Sequence, residues 1–260
     1  MENDKTKLLD EILGSIIDKK YKSSIEQLKD RGYITEKDVE EYKNKNLDEI
    51  MDLLFDRKPA IRTIGYRLIG KVYLDKKELT KILCENLIIE EKLYTKLEIC
   101  DTLVKECSDY TSDIIKYIGK VGENQHIELP RKKFEKKSYP LPRDLIVRVL
   151  IRIGKKAIFN MLEEIKESDK LVVRELIDGI GYICFYEEAS NNEYEQLKKC
   201  YIKNFEDKII RWKIIRAFSA FNTDENIKFL NEQLENETEK EIEEEINRSL
   251  EIIKLKGKKV

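Results

Sequence analysis

The first residues in this sequence that could do chemistry are its arginines, because they are few and regularly placed. The chain has 50 Lys and Arg residues, of which only 12 are Arg. Eight of these (Arg62, Arg67, Arg143, Arg148, Arg152, Arg174, Arg211 and Arg216) fall in or at the start of segments that share one pattern. A guanidinium presents a rigid fork of donors that matches a carboxylate or phosphate two bonds at a time. A row of them therefore has two readings. It can hold phosphates or an acidic peptide, or it can form a structural ladder with acids such as Asp144, Asp169 and Asp207.

A second candidate is the stretch LPRKKFEKKSYPLPRD, residues 129–144. It holds three of the four prolines, and the bases Arg131, Lys132, Lys133, Lys136 and Lys137 lie on both sides of Phe134. Bases interleaved with aromatics suit stacking combined with phosphate contact, although polar, Pro-rich surface loops are also common. Pro142 fits the start of a following helix, and Tyr139 and Leu141 are placed to anchor the segment. That leaves the RKKFEKK half as the free, basic part. The only Trp, Trp212, sits in IIRWKIIR, where it can stack on a ligand or pack between helices.

Other chemistries are excluded or weakly signalled. The motifs of P-loop, dinucleotide, α/β-hydrolase and zincin sites are all missing. One histidine, His126, cannot build a His-dependent metal cluster, and pairing it with a cysteine nucleophile would need a distant partner. Cys84, Cys100, Cys107, Cys184 and Cys200 are dispersed with no CxxC pair, and read as reduced core thiols. No catalytic residue, metal or cofactor is expected. The net charge is −2, so there is no global basic coat, yet charge is segregated. Residues 224–245 carry ten acids and two bases, whereas residues 126–143 carry six bases and two acids. With no long apolar run and no hydrophobic signal segment at the N-terminus, a cytoplasmic protein is expected.

The elements that must position these residues are repeated. Six segments place two apolar residues, a base and then an apolar helical face: KPAIRTIGYRLIGKV, KLYTKLEICDTLVKEC, PRDLIVRVLIRIGKKA, DKLVVRELIDGIGYIC, DKIIRWKIIRAFSAFN and EKEIEEEINRSLEIIK. Most are followed by a second amphipathic helix, as in ELTKILCENLII, DIIKYIGKV and AIFNMLEEIKE. One interval is too long, and it contains the Pro-containing stretch. That stretch therefore reads as an insertion, at about 123–143, inside a continuous array. The stripe of Ile61, Ile64, Gly65 and Leu68 has helical period. A single pair cannot bury such a stripe, whereas stacked neighbours can.

Ile61-Arg62 with Gly70, Val147-Arg148 with Gly154, Val173-Arg174 with Gly181 and Ile210-Arg211 with Ala217 resemble the D-x-x-V-R-x-x-A-x-x-A-L-G pattern of short bacterial and archaeal HEAT-like repeats. The resemblance covers residues 58–256. It implies an all-α fold, a right-handed α-solenoid of about five to six helix pairs, with the arginine-bearing helices lining its concave surface. The acid-rich last unit suits a C-terminal cap. Residues 1–56 read as an N-terminal helical cap, with one amphipathic helix carrying Leu8, Leu9, Ile12, Leu13, Ile16 and Ile17, a stop at Gly32 and a capping box starting at Thr35.

The function expected is a non-enzymatic scaffold or adaptor. Its candidate contacts are Arg62, Arg67, Arg148, Arg152, Arg174, Arg211, Trp212 and Arg216 on the repeats, with Arg131, Lys132, Lys133, Phe134, Lys136 and Lys137 on the insertion. A protein partner with an acidic segment is expected. The alternative is nucleic-acid binding, since DNA alkylation-repair glycosylases are similar small solenoids, although their acidic-plus-aromatic constellation does not align here.

Overall fold

The computed structural model describes residues 23–257. The helix expected from Leu8 to Ile17 lies outside the described residues. Those residues form fourteen α-helices and no strand. The chain divides into two compact units. Of the described residues, the first holds 23–73 together with Glu90–Ile99, and the second holds Leu74–Ile89 and 100–257.

Among the described residues of the first unit three short helices precede the first repeat helix: α1 (Ile25–Lys29), α2 (Glu36–Glu40) and α3 (Leu47–Leu53). Each begins with a capping box, Ser24 with Gln27, Thr35 with Asp38 and Asn46 with Glu49, so backbone amides left over at each helix start gain partners. Gly32 follows α1 at φ 92°, a conformation that a side chain would disfavour. Helix α4 (Pro59–Val72) starts with Pro59 in its first turn, packs on α3, and buries Ile64, Gly65 and Leu68 from the expected stripe.

The second unit contains α5 (Lys76–Ile89), the later half of α6 (Leu93–Glu106), and α7 (Thr111–Ile115). The DIIKYIGKV segment gives only this short α7, after which the chain turns, with Gly119 and Gly122 at φ 78° and 76°. The connection through residues 116–144 has no helix. Then come α8 (Leu145–Ile153), α9 (Lys155–Glu167), α10 (Lys170–Tyr186), α11 (Asn191–Lys203), α12 (Lys208–Phe218), α13 (Asp224–Asn236) and α14 (Lys240–Gly257). Within the second unit the helices pack sequentially. Motif helices α8, α10, α12 and α14 pack each on the next, and α9, α11 and α13 lie against them.

Helix α12 is the centre of this stack. Every residue from Ile209 to Phe218 is buried, which a surface helix with one apolar stripe would not allow. Close approach elsewhere depends on small residues. A Cβ on Gly179 of α10 would meet Met161 Cε at 2.6 Å and Val147 Cγ1 at 2.7 Å. The methionine end can move, but the β-branched valine is stiff. Gly179→Ala is expected to destabilise the protein by about 1–3 kcal/mol through overpacking, read as a lower denaturant midpoint with helical circular dichroism retained.

Candidate functional site

Several repeat arginines are held by acids that also start the next motif helix. Arg62 donates from Nε and Nη2 to Glu90, both at 2.8 Å, and Glu90 accepts from the Glu91 and Lys92 amides ahead of α6. Arg174 Nη2 reaches Asp207 Oδ2 at 2.7 Å, and Asp207 caps α12 through the Ile209 and Ile210 amides. Arg211 Nη1 reaches Glu237 Oε2 at 2.9 Å, and Glu237 accepts from the Thr238 and Glu239 amides ahead of α14. One acid thus satisfies a helix start and a cation from the preceding repeat. Burial pushes the Glu90 and Asp207 carboxyls up, but these hydrogen bonds outweigh it and hold both below the ordinary carboxylate range.

The other arginines behave less uniformly. Arg67 is bidentate to Glu98, at 3.0 and 2.6 Å, and also reaches Glu36 at 2.8 Å. Arg152 makes a half-exposed pair with Asp101 at 2.7 Å. Arg148 donates to the Pro142 carbonyl at 2.7 Å. Of the three acids expected to form the ladder, only Asp207 meets a repeat arginine. Asp169 caps α10, and Asp144 caps α8 while also accepting from the Gly119 amide and Gln125. For Asp144 the preceding motif helix, α6, carries Lys96 and no arginine at the motif position; for Asp169 the preceding motif arginine, Arg148, is bonded to the Pro142 carbonyl.

Three cations of α12 sit in the protein interior. Arg211 faces Glu237, Lys213 is 0% exposed between Glu175 at 2.7 Å and Asp178 at 2.8 Å, and Arg216 reaches Glu245 of α14 at 3.1 Å. Glu245 also receives Arg248 at 2.5 Å. The acid-rich α14 therefore shows only part of its charge to solvent, since Glu245 and Arg248 are buried. Burial raises the Glu175 carboxyl even with Lys213 beside it.

The long connection lies over α10, α12 and α14. Tyr139 is buried, exchanges backbone hydrogen bonds of 3.2 Å with the Tyr186 hydroxyl, and packs against Tyr182 and Phe185. Its hydroxyl fills the space where Gly181 has no side chain. Arg248 donates to the Lys136 carbonyl at 3.1 and 2.9 Å and to the Ser138 carbonyl at 2.9 Å. Phe134 lies beneath the guanidiniums of Arg248 and Arg216, and Lys137 pairs with Glu251. The RKKFEKK half is therefore not free: its backbone is held at Lys136 and its aromatic ring is covered by two guanidiniums, while the basic side chains stay exposed. Leu141, expected as an anchor beside Tyr139, is exposed instead.

This arrangement borders a half-open cavity of about 580 Å³. Of the candidate residues it brings together Lys132, Lys133, Phe134, Lys136, Trp212 and Arg216, and it adds His126, Tyr139, Arg143 and Asp178. Arg148, Arg152, Arg174, Arg211, Arg131 and Lys137 do not line it, and Arg62 and Arg67 belong to the other unit. Arg216 lies 3.8 Å from the Trp212 ring centre, and His126 meets the same ring edge-on at 5.1 Å. Burial, then the nearby Lys213, pushes the His126 imidazole down to about 4, so it is neutral at pH 7. Four buried atoms of the wall residues lack a hydrogen-bond partner: His126 Nδ1, Tyr139 Oη, Asp178 Oδ1 and Arg216 Nε. Asp178, Tyr139 and His126 were legible as polar residues but gave no sequence signal of convergence. The one available hint was the charge interleaved through IIRWKIIR, which predicts buried partners once both helix faces are apolar.

All five cysteines are buried and none is in a disulfide. Among the described residues no group of three or more His, Cys, Asp and Glu could hold a metal ion, and no helix is long and apolar enough to cross a membrane. No protein-family model and no curated protein matches the sequence. Among solved structures, the designed armadillo repeat protein YIII(Dq)4CqI aligns with 80% of this chain and 100% of its own at 12% identity and a TM-score of 0.34. A likeness of that degree carries no argument, and the sequential packing rests on the helix contacts themselves.

Two measurements test this geometry. Lys213→Ala should cost about 3–5 kcal/mol in chemical denaturation, because Glu175 and Asp178 would be left buried without their cation. The compensated variant Lys213→Met/Glu175→Gln/Asp178→Asn should recover a large share of it. In a proton NMR titration, His126 should change charge near pH 4 and not near 6.5. Its folded value is depressed, so the unfolded chain takes up the proton first. Its stabilisation is complete above about pH 6.5 and is lost as pH falls toward 4.

Proposed function

We propose that this protein is a non-enzymatic helical-repeat scaffold that binds an acidic segment of a partner protein on the exposed bases of the 116–144 connection. The observation that carries this reading is a basic segment anchored at one end. Arg131, Lys132, Lys133, Lys136 and Lys137 are exposed, while Arg248 and Tyr186 hold the backbone at Lys136, Ser138 and buried Tyr139. A segment partly ordered before binding loses less conformational entropy when a partner docks. The repeat arginines add little to this surface, because Arg62, Arg174, Arg211 and Arg216 already face carboxylates. Lys137 already pairs with Glu251, so Arg131, Lys132, Lys133 and Lys136 would oppose an acidic peptide, acting mainly on association rate and selectivity with a strong dependence on salt.

Fluorescence anisotropy with a labelled Asp/Glu-rich peptide at low salt tests the reading. Arg131→Glu with Lys137→Glu should weaken binding on the order of tenfold and should leave the helical circular dichroism unchanged. Absence of binding by the parent protein, or indifference to the reversals, would sink it. Single-stranded and duplex DNA probes run in parallel cover the other reading. A mobility shift that fades steeply with salt would move the assignment to nucleic acid.

A further inference from the structure

We propose that the partner's acidic segment continues past the connection onto α8, where the guanidiniums of Arg148 and Arg152 hold its carboxylates. This rests on the acidic-partner reading above, and it names the contacts that select which acidic segment stays bound.

Helix α8 has one open stripe. Ile146, Val147, Val149, Leu150 and Ile151 are buried, and Leu145, Arg148 and Arg152 follow at spacings of three and four on the side that is left. Its sequence, LIVRVLIRI, contains no acid, so neither arginine has a carboxylate on its own helix. Asp144, just ahead of the helix, is buried and turned to the Val147 and Gly119 amides and to Gln125.

What these two arginines already hold separates them from the ladder. The carboxylates facing Arg62, Arg174, Arg211 and Arg216 have side chains only 3–4% exposed, so those cations are committed. Arg148 instead uses Nε on the Pro142 carbonyl at 2.7 Å, and no carboxylate pairs with it among the described residues. Its Nη1 and Nη2 edge stays available as a planar fork for one carboxylate. The bond at Nε also limits the rotamers that binding would have to freeze. Arg152 does pair, with Asp101, but the two side chains are 45% and 38% exposed. An ion pair so open to water is weak and exchanges readily for another carboxylate. Arg143 joins these groups to the connection. It is exposed, donates to the Asn124 carbonyl at 3.3 Å, and borders the same cavity as Lys132, Lys133 and Lys136. It also follows Pro142, whose carbonyl Arg148 holds. Cations therefore continue from the connection through Arg143 to Arg148, and one helical turn further to Arg152. Lysines on such a track attract acidic chains in general, whereas the arginine forks demand a carboxylate at a set place.

Stopped-flow fluorescence on the full chain tests the proposal, with a labelled Asp/Glu-rich peptide of about twelve residues that extends to roughly 40 Å. Arg148→Lys keeps the charge and removes the fork. It should raise the dissociation rate by about three- to tenfold and change the association rate little, and Arg152→Gln should do the same. Arg131→Glu with Lys137→Glu should instead slow association. Asp101→Asn releases Arg152 and should tighten binding by about two- to threefold, a gain that damage to the fold would not produce. Suppose the peptide responds to Arg131→Glu with Lys137→Glu but not to Arg148→Lys, Arg152→Gln or Asp101→Asn. The α8 contacts are then overturned, and the acidic-partner reading stands without them. No binding of the peptide by the parent overturns both. Single-stranded DNA that binds more tightly than the peptide, and is the probe lost on Arg148→Lys, would assign the stripe to nucleic acid and overturn the inference as well.

Discussion

The second unit depends on how a buried lysine is neutralised. Lys213 has no exposed surface, and it lies at the middle of a helix whose neighbours on every side are packed. An isolated ammonium there would be strongly disfavoured, because it has left water without gaining a counter-charge. Glu175 and Asp178 of α10 supply two, at 2.7 and 2.8 Å. Their spacing of three residues puts both on the same helical face. The register of α10 on α12 is thereby restricted, since sliding either helix by a turn would strand charges of both signs. Arg216 with Glu245 and Arg248 does the same between α12 and α14. Such groups add little to stability compared with hydrophobic residues of the same volume, but they penalise wrong registers.

The same polar layer explains why the long connection can be ordered without helix. A loop crossing a repeat stack must find partners for its carbonyls and amides. Here the guanidinium of Arg248, already held by Glu245, presents its remaining donors to the carbonyls of Lys136 and Ser138. Tyr186 takes both the amide and the carbonyl of Tyr139. Gly181 leaves the gap that the Tyr139 ring occupies. Arg131 and Lys137 lie outside the cavity beneath the connection, whereas Lys132, Lys133 and Lys136 line it. Structure and proposed binding therefore follow from one device, buried acids that organise cations.

The ladder of Arg62–Glu90, Arg174–Asp207 and Arg211–Glu237 works on a smaller scale. Each acid serves both a helix start and the arginine of the helix before it, so the geometry passes from one repeat to the next within each unit. Where the motif arginine is missing, as at Lys96, the acid that would receive it takes up other work. Asp144 holds the Gly119 amide and Gln125, which ties the beginning of the connection to the start of α8.

What the sequence determined by itself was local. Helical period located the motif helices, capping residues such as Thr35 with Asp38 located a helix start, and spacing marked residues 123–143 as an interruption, because these signals act over a few neighbouring residues. It also left the arginines with two readings, since a guanidinium has the same fork whether it meets a ligand or an acid thirty positions away. Only tertiary structure decided which, because Glu90, Glu237 and Glu245 carry no motif of their own and become partners by stacking alone. The stacking likewise set Arg248 against the Lys136 carbonyl, more than a hundred residues apart, and gathered His126, Tyr139, Asp178 and Arg216 around one cavity. No periodic pattern encodes such contacts. They arise where helices from separate repeats and a non-repeating loop share one interior.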